Sequence, residues 1–315
     1  MNKLIIENTY RSLLIYMLYD PAWKMHDYVI VKGRISNDFI LRFKDKVNKV
    51  SISDDFPIIS LKSPFSSIYT RLQFLNSIKN YDEIYGNIFE LKLRACKAKL
   101  FQLDDGLMTK RMVEGNLNRK INNLKFRNNL FFRVFLNVDY NFDAKRYTFI
   151  IPDSYQNKKK LSCECINLGK KINELSTDDY SAICEIYGFS PTKLKGKSIL
   201  MLQPFFEDRL VSSLEYEINM YKEILKSEGV LENELYIKPH PRSKVDYKKY
   251  FQESEFIPKD FPYELLVRKS ANNKFNKVLS INSSGIEEFS TISEEVVNFG
   301  TENFKELEFS PMLRF

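Results

Sequence analysis

Short apolar runs alternate with amphipathic stretches along most of the chain. "KLIIEN" at residues 3–8 has the pattern of a buried strand, and the following "TYRSLLIYMLY" predicts a helix. "DYVIV" (27–31) and "SNDFILRFKDKV" (36–47) repeat the alternation. A helix opened by Ser63 and Pro64 spans 63–80, followed by the strands "DEIYG" (82–86) and "KAKLFQL" (97–103), the latter running directly into "DDG". Strands and helices in turn predict an α/β fold with a mostly parallel sheet.

The second half is more regular. "SILMLQP" (198–204) is a strand, and 212–229 is a helix with Leu214, Ile218, Tyr221 and Leu225 on one face. Ser212 and Glu215 have capping-box spacing at its start, and Gly229 ends it. "ELYIKPHP" (234–241) is the next strand and leads into a helix over "SKVDYKKYF" (243–251). After "EFIP" and the helix-like "FPYELLVRK" (261–269), the strand "KVLSINS" (277–283) meets the helix "SGIEEFSTI" (284–292), and "EEVVNFG" (294–300) closes the sheet. This β-α-β-α-β order predicts a second Rossmann-like domain. Gly, Pro, Ser and Lys gather in "YGFSPTKLKGKS" (187–198), which places the domains at 1–190 and 191–315.

Residues 107–160 break the pattern. Basic, Asn and aromatic residues mix in "KRMVEGNLNRKINNLKFRNNLFFRVF" and tyrosines crowd "DYNFDAKRYTFIIPDSYQNKKK", so an insertion or lid is expected here. The plainer alternative is an amphipathic helix with a solvated basic face.

Composition narrows the function classes. With 43% hydrophobic and 28% charged residues in 315, the chain has the balance of a soluble two-domain protein. A formal charge of +7 favours an anionic partner: nucleic acid, a membrane surface or a substrate. No nucleic-acid-binding motif accompanies the basic stretch at 110–133, so nucleic acid is the distant alternative and is not expected as a partner. Cys96, Cys163, Cys165 and Cys184 lack paired C-x-x-C spacing, which predicts reduced thiols, no zinc site and no disulfide framework. Glu7, Asn8, Arg11 and Asp20 interrupt the apolar N-terminus, so neither a signal peptide nor a membrane span is expected there.

Three polar clusters each lie just past the carboxyl end of an expected strand, where open α/β sheets bind ligands. "SSG" (Ser283, Ser284, Gly285) precedes Glu287 at capping-box distance from Ser284 and reads plainly as a helix N-cap. The same helix N-terminus, with two hydroxyls beside it, also suits phosphate. In "KPHPR", Pro239 and Pro241 restrict the backbone around His240, one of two histidines, with Lys238 and Arg242 on either side. His240 is either a turn residue or an imidazolium that binds and protonates a departing phosphate. "DDG" (Asp104, Asp105, Gly106) is a common turn sequence. Alternatively it presents a carboxylate as general base toward a sugar hydroxyl, with Asp105 favoured because Gly106 admits close approach. A fourth cluster, "QPFFEDR" (203–209), offers Glu207 and Asp208 as a solvated helix start or as a base from the second domain.

The ordered set D-D-G, H-P and S-S resembles the signature of bacterial sialyltransferases with D/E-D/E-G, HP and S-S/T motifs. "KPHPR" and the upstream "QPFFED" resemble the lipooligosaccharide and capsule enzymes of glycosyltransferase family 52 more than the larger family 80 enzymes; the polysialyltransferases of family 38 share the motifs. The resemblance implies a GT-B fold, two Rossmann-like domains facing a central cleft. It also implies metal-independent, inverting transfer of sialic acid from CMP-sialic acid, a substrate and not a resident cofactor, to a galactose-terminated surface glycan, with alpha-2,3 linkage expected. Carried over, His240 assists the departing CMP phosphate and Ser283 and Ser284 hold it beside Gly285. Lys238 and Arg242 add charge, Pro239 and Pro241 shape. The base stays open between Asp105, flanked by Asp104 and Gly106, and Asp208 or Glu207. Some relatives begin with a membrane anchor, which this sequence does not display. A cytoplasmic protein is expected, with peripheral contact to anionic membrane through 110–160 and a homodimer as an open possibility.

Overall fold

A computed structural model describes residues 1–32, 35–54, 64–91, 96–106, 109, 113, 146–155, 161–194, 196–268, 274–283 and 286–308. The chain forms two compact units, Met1–Lys171 and Ile172–Phe315.

The first unit is built on seven parallel strands in the order β3-β2-β1-β4-β5-β6-β7. The strands are β1 (Lys3–Glu7), β2 (Asp27–Val31), β3 (Lys49–Ser53), β4 (Glu83–Gly86), β5 (Lys99–Leu103), β6 (Thr148–Pro152) and β7 (Ser162–Ile166). Helices α1 (Tyr10–Tyr19), α2 (Asn37–Lys44) and α3 (Pro64–Ile78) connect the first four, and α4 (Leu168–Glu174) follows β7. Each of β1, β4 and β5 is almost wholly buried, which is why they read as continuous apolar runs and not as alternating ones. Leu4, Ile6, Ile84, Leu100, Phe149 and Ile151 from four strands meet in one core.

The second unit has five parallel strands in the order β10-β9-β8-β11-β12. These are β8 (Ser198–Met201), β9 (Leu235–Lys238), β10 (Glu255–Phe256), β11 (Phe275–Ser280) and β12 (Ser293–Asn298). Helix α5 (Thr177–Ile186) precedes the sheet, α6 (Leu214–Ser227) joins β8 to β9, and α7 (Lys305–Glu308) follows β12. Ile218, Tyr221, Ile224 and Leu225 of α6 pack on Leu200, Ile237 and Leu279 of the strands. Both units therefore show the doubly wound order of a Rossmann sheet, with a switch point at β1/β4 and at β8/β11.

Several local expectations change. The division falls at 171/172, ahead of α5, and not at 190/191. Tyr180 of α5 donates to the Leu265 carbonyl at 2.7 Å, and Phe189 packs against Phe261 with ring centroids 5.1 Å apart, so this segment belongs to the second core. Residues 148–152 form β6 inside the first sheet, although they lie in the stretch expected as an insertion; 114–145 and 156–160 lie outside the described residues. The cap of α6 is Ser213, whose hydroxyl accepts from Tyr216 N at 3.1 Å, because Ser212 is drawn off to Glu306 at 2.7 Å. Such a cap contributes about 1 kcal/mol. The helices expected over 243–251 and 284–292 are 3₁₀ turns, Tyr247–Lys249 and Ile286–Thr291. No described helix is long and apolar enough to cross a membrane.

Candidate active site

All strands of each sheet are parallel, so every loop that follows a strand emerges at the same edge. In the second unit that edge carries three of the four clusters: 202–213 after β8, 239–246 after β9, and 281–286 after β11. β8 lies between β9 and β11, so the exits of His240 and Ser283 are two strand spacings apart, about 10 Å.

His240 leaves β9 between its prolines and is partly buried. Its Nδ1 accepts the backbone N–H of Arg242 at 3.2 Å, which puts the proton of the neutral ring on Nε2. Burial, followed by the charges of Arg242 and Lys238, pushes the imidazole down to about 4, against the opposing pull of Asp208 and Glu207. In the free protein at neutral pH the ring is therefore a neutral Nε2–H donor and not the expected imidazolium.

The cationic neighbours divide in role. Lys238, the last residue of β9, is 4% exposed, and its ammonium donates to the carbonyls of Pro239 and Lys259 at 3.0 and 2.8 Å. It ties the strand exit to the neighbouring loop and is not a surface charge for a ligand, which corrects the sequence expectation. Burial lowers its pKa to about 7, from an ordinary value near 10.5. Between those values the unfolded chain binds a proton that the folded chain does not, so stability rises with pH. The slope reaches about 1.4 kcal/mol per pH unit. Denaturant midpoints measured from pH 7 to 9 should show this rise in the wild type and a flatter profile in Lys238→Met; parallel profiles would remove the assignment.

Arg242 makes a two-pronged ion pair with Asp208, Nη1 to Oδ1 at 3.0 Å and Nη2 to Oδ2 at 2.9 Å. With side chains 65% and 33% exposed, the pair is screened and readily exchanged for another anion. Glu207 is fully engaged, accepting from Ser243 Oγ at 2.6 Å and Lys244 N at 2.7 Å, which fastens the β8 loop to the β9 loop. Neither acid opens a helix: 204–210 is a turn closed by Asp208 N to the Pro204 carbonyl at 2.8 Å, with Arg209 at φ 59°. Beneath it the buried Glu217 accepts from Phe206 N at 2.7 Å and Tyr247 Oη at 2.6 Å, and burial raises its pKa. Sequence reading missed Glu217, since an acid in the first turn of a helix is ordinarily a solvated one.

Ser283 is nearly buried after β11, and its carbonyl accepts from Ile286 N at 3.3 Å. Ser284 and Gly285 lie outside the described residues. Because Ile286–Thr291 is a 3₁₀ turn, the expected α-helical N-terminus does not follow Ser283.

At the strand ends of the first unit the two aspartates separate clearly. Asp104 is fully buried, and its carboxylate accepts from Arg11 Nε at 3.1 Å, Tyr155 Oη at 2.7 Å and Gly106 N at 3.2 Å. Its backbone is held as well, by Ser12 Oγ on the carbonyl at 2.9 Å. Burial raises its pKa, while Arg11 and Tyr155 oppose that. Asp104 thus serves as the structural pin of the motif. Asp105 is half-buried; its Oδ1 accepts from Thr109 Oγ1 at 2.6 Å and Thr109 N at 3.2 Å. Gly106 sits at φ 100°, a left-handed conformation that requires glycine, and a side chain there would meet nothing within 4 Å.

Among the described residues no cluster of three His, Cys, Asp or Glu side chains could hold a metal ion, and the four cysteines form no disulfide. The basic stretch at 110–133 lies almost wholly outside the described residues.

The sequence profile of glycosyltransferase family 52 matches residues 45–298, a span that includes all four clusters. The chain belongs to glycosyltransferase family 52. A curated relative of this family-52 chain, an uncharacterized protein of Haemophilus influenzae (strain ATCC 51907 / DSM 11121 / KW20 / Rd), is 28% identical over 213 residues, 65% of this chain. The match spans 63% of that relative's length. Among solved structures, Arabidopsis thaliana UGT89C1 complexed with UDP-L-rhamnose aligns with 91% of this family-52 chain and 76% of its own, at 7% identity and a TM-score of 0.41.

Proposed function

We propose that this family-52 chain is an inverting sialyltransferase that moves sialic acid from CMP-sialic acid to a galactose-terminated surface glycan of the lipooligosaccharide or capsule type, with alpha-2,3 linkage. The observation that carries the reading is the family match over a region in which D-D-G, H-P and S-S follow parallel strands of two doubly wound sheets. Those two sheets, with the family, support GT-B.

In this reading Asp105 takes the proton of an acceptor hydroxyl, whose oxygen attacks the anomeric carbon. The bond from that carbon to the phosphate oxygen breaks, and its electron pair leaves with CMP. His240 Nε2–H meets the charge that grows on the departing phosphate, and Ser283 and Ser284 hold it. An anion beside the ring raises its pKa from about 4, which turns the resting donor into a proton source as the donor substrate binds. Asp105 belongs to the first unit and His240 to the second.

Asp105 is preferred as base because the Asp208 carboxylate is held by Arg242 on both oxygens. The exposure of that pair favours a second reading, in which Arg242 transfers to an anionic group of the donor and releases Asp208. CMP release from CMP-sialic acid with lactose as acceptor separates them. Asp105→Asn should lower kcat by about 10²–10⁴-fold, and Asp208→Asn should chiefly raise the donor KM. The reverse ranking favours Asp208. Stabilisation by UDP or GDP in place of CMP in a thermal-shift assay would point to another nucleotide sugar. The charge of +7 supports peripheral contact with an anionic cytoplasmic membrane face as part of this proposal.

A further inference from the structure

The segments that follow β8 and β9 are joined by acids at three depths. Deepest is Glu217, fully buried in the first turn of α6: its Oε2 accepts Phe206 N at 2.7 Å and its Oε1 accepts Tyr247 Oη at 2.6 Å. Glu207 is half-buried and takes both of its contacts from the β9 loop, Ser243 Oγ at 2.6 Å on Oε2 and Lys244 N at 2.7 Å on Oε1. Outermost is the Asp208–Arg242 pair, with side chains 33% and 65% exposed. Hydrogen bonds to a charged acid strengthen as water is excluded, whereas an exposed ion pair is screened, so the joint weakens from the inside outward.

Ser243 carries this joint to the imidazole. His240 and Ser243 are the ends of a turn closed by Ser243 N on the His240 carbonyl at 2.9 Å, and Pro241 takes the position that its fixed φ suits. Inside that turn Arg242 N holds Nδ1 of the ring at 3.2 Å. The hydroxyl of the buried Ser243 donates to Glu207 and accepts from Val245 N at 3.2 Å. Glu207 in turn sits on a loop that is closed on its own side, by Asp208 N to the Pro204 carbonyl and Leu210 N to the Phe205 carbonyl, each at 2.8 Å. A braced β8 loop therefore reaches the ring through one acid and one serine. The Arg242 side chain takes no part in these contacts, so it can leave Asp208 while its backbone N–H stays on Nδ1.

We propose that Glu207, acting through Ser243, is a positioning residue for His240: it keeps the ring in its Nε2–H form while Arg242 exchanges Asp208 for an anionic group of the donor. The inference rests on the reading of His240 as the group that meets the departing phosphate. Glu207→Ala removes both contacts to the β9 loop. Glu207→Gln keeps an oxygen for Lys244 N and sets its NH₂ against Ser243 Oγ, which can accept it. The imidazole nitrogen NMR spectrum of the full chain is recorded at neutral pH, with His240 identified by its absence in His240→Asn. Wild type and Glu207→Gln should show one bare and one protonated nitrogen. In Glu207→Ala the two resonances should move toward each other as both tautomers form. The kcat for CMP release from CMP-sialic acid with lactose should fall at least about tenfold in Glu207→Ala and stay within about threefold in Glu207→Gln.

A single Nε2–H tautomer in Glu207→Ala overturns the proposal. So does an equal loss of kcat in Glu207→Gln, which would make the carboxylate itself the reacting group. Should Glu207→Ala not fold, Ser243→Ala, which removes only the hydroxyl, takes its place in both measurements with the same expected outcome. If the wild type does not consume CMP-sialic acid, the sialyltransferase reading falls, while the ring spectrum still decides Glu207.

Discussion

His240→Ala should lower kcat for the proposed sialic acid transfer by about 10²–10⁴-fold, the range for loss of a positioned acid. The hydrogen bond from Arg242 N to Nδ1 fixes the ring, leaves Nε2 to carry the proton, and makes the effect one of position as well as of chemistry. His240→Asn tests which. Its carbonyl can accept the Arg242 amide and its NH₂ can donate to phosphate, but it holds no titratable proton. If His240 transfers a proton, the Asn variant falls as far as the Ala variant in kcat while the donor KM stays within about threefold of wild type. If the ring only donates a hydrogen bond, Asn restores most of the rate. Unchanged turnover in His240→Ala sinks the role altogether. Because the free ring titrates at about 4, donor binding should also move its NMR titration upward, toward neutral pH.

Gly86→Ala is expected to be the most destabilising single-methyl change in the first sheet. Gly86 ends β4 at φ 131°, and a Cβ built there would lie 2.0 Å from the Ile6 carbonyl oxygen, a backbone atom of the paired strand β1. No rotamer relieves a clash between backbone and Cβ; β1 and β4 must separate, and that pairing carries the switch point. A cost of at least about 3 kcal/mol follows from steric and dihedral strain together, or a fall in melting temperature of roughly 6–12 °C for a unit of this size. Thermal melts of the two proteins check this. A shift under about 2 °C would mean that the strand ends tolerate separation.

The clusters were legible because their signals are local. An apolar run followed by D-D-G, P-H-P-R or S-S places the polar residues at a strand exit whatever the remaining topology, and β2, β4, β5, β8 and β9 lie where the apolar runs put them. β3 and β7 were not legible, because exposed edge strands such as "KVSIS" lack a continuous apolar run. The capping of α6 slipped by one residue because two serines compete and only a distant acid, Glu306, decides between them. The two 3₁₀ turns at 247–249 and 286–291 replaced expected helices for a related reason: each segment is too short to sustain a helix without packing that the sequence does not display.

The roles inside each cluster depended on partners far away in the chain. Asp104 is a pin and not a reactive group because Arg11, 93 residues earlier, and Tyr155, 51 later, close on it. Asp208 is paired because Arg242, 34 residues on, reaches it, and Lys238 is inward because the Lys259 carbonyl receives it. By itself the sequence determined the α/β class, the positions of the central strands and the placement of the chemistry at their carboxyl ends, since hydrophobic periodicity and turn residues act within a few positions. Only the tertiary structure decided which aspartate is presented, that the resting imidazole is neutral, and that Glu207 ties the β8 loop to the β9 loop. Those properties arise from burial and from hydrogen bonds between strands, and neither is encoded at any single position.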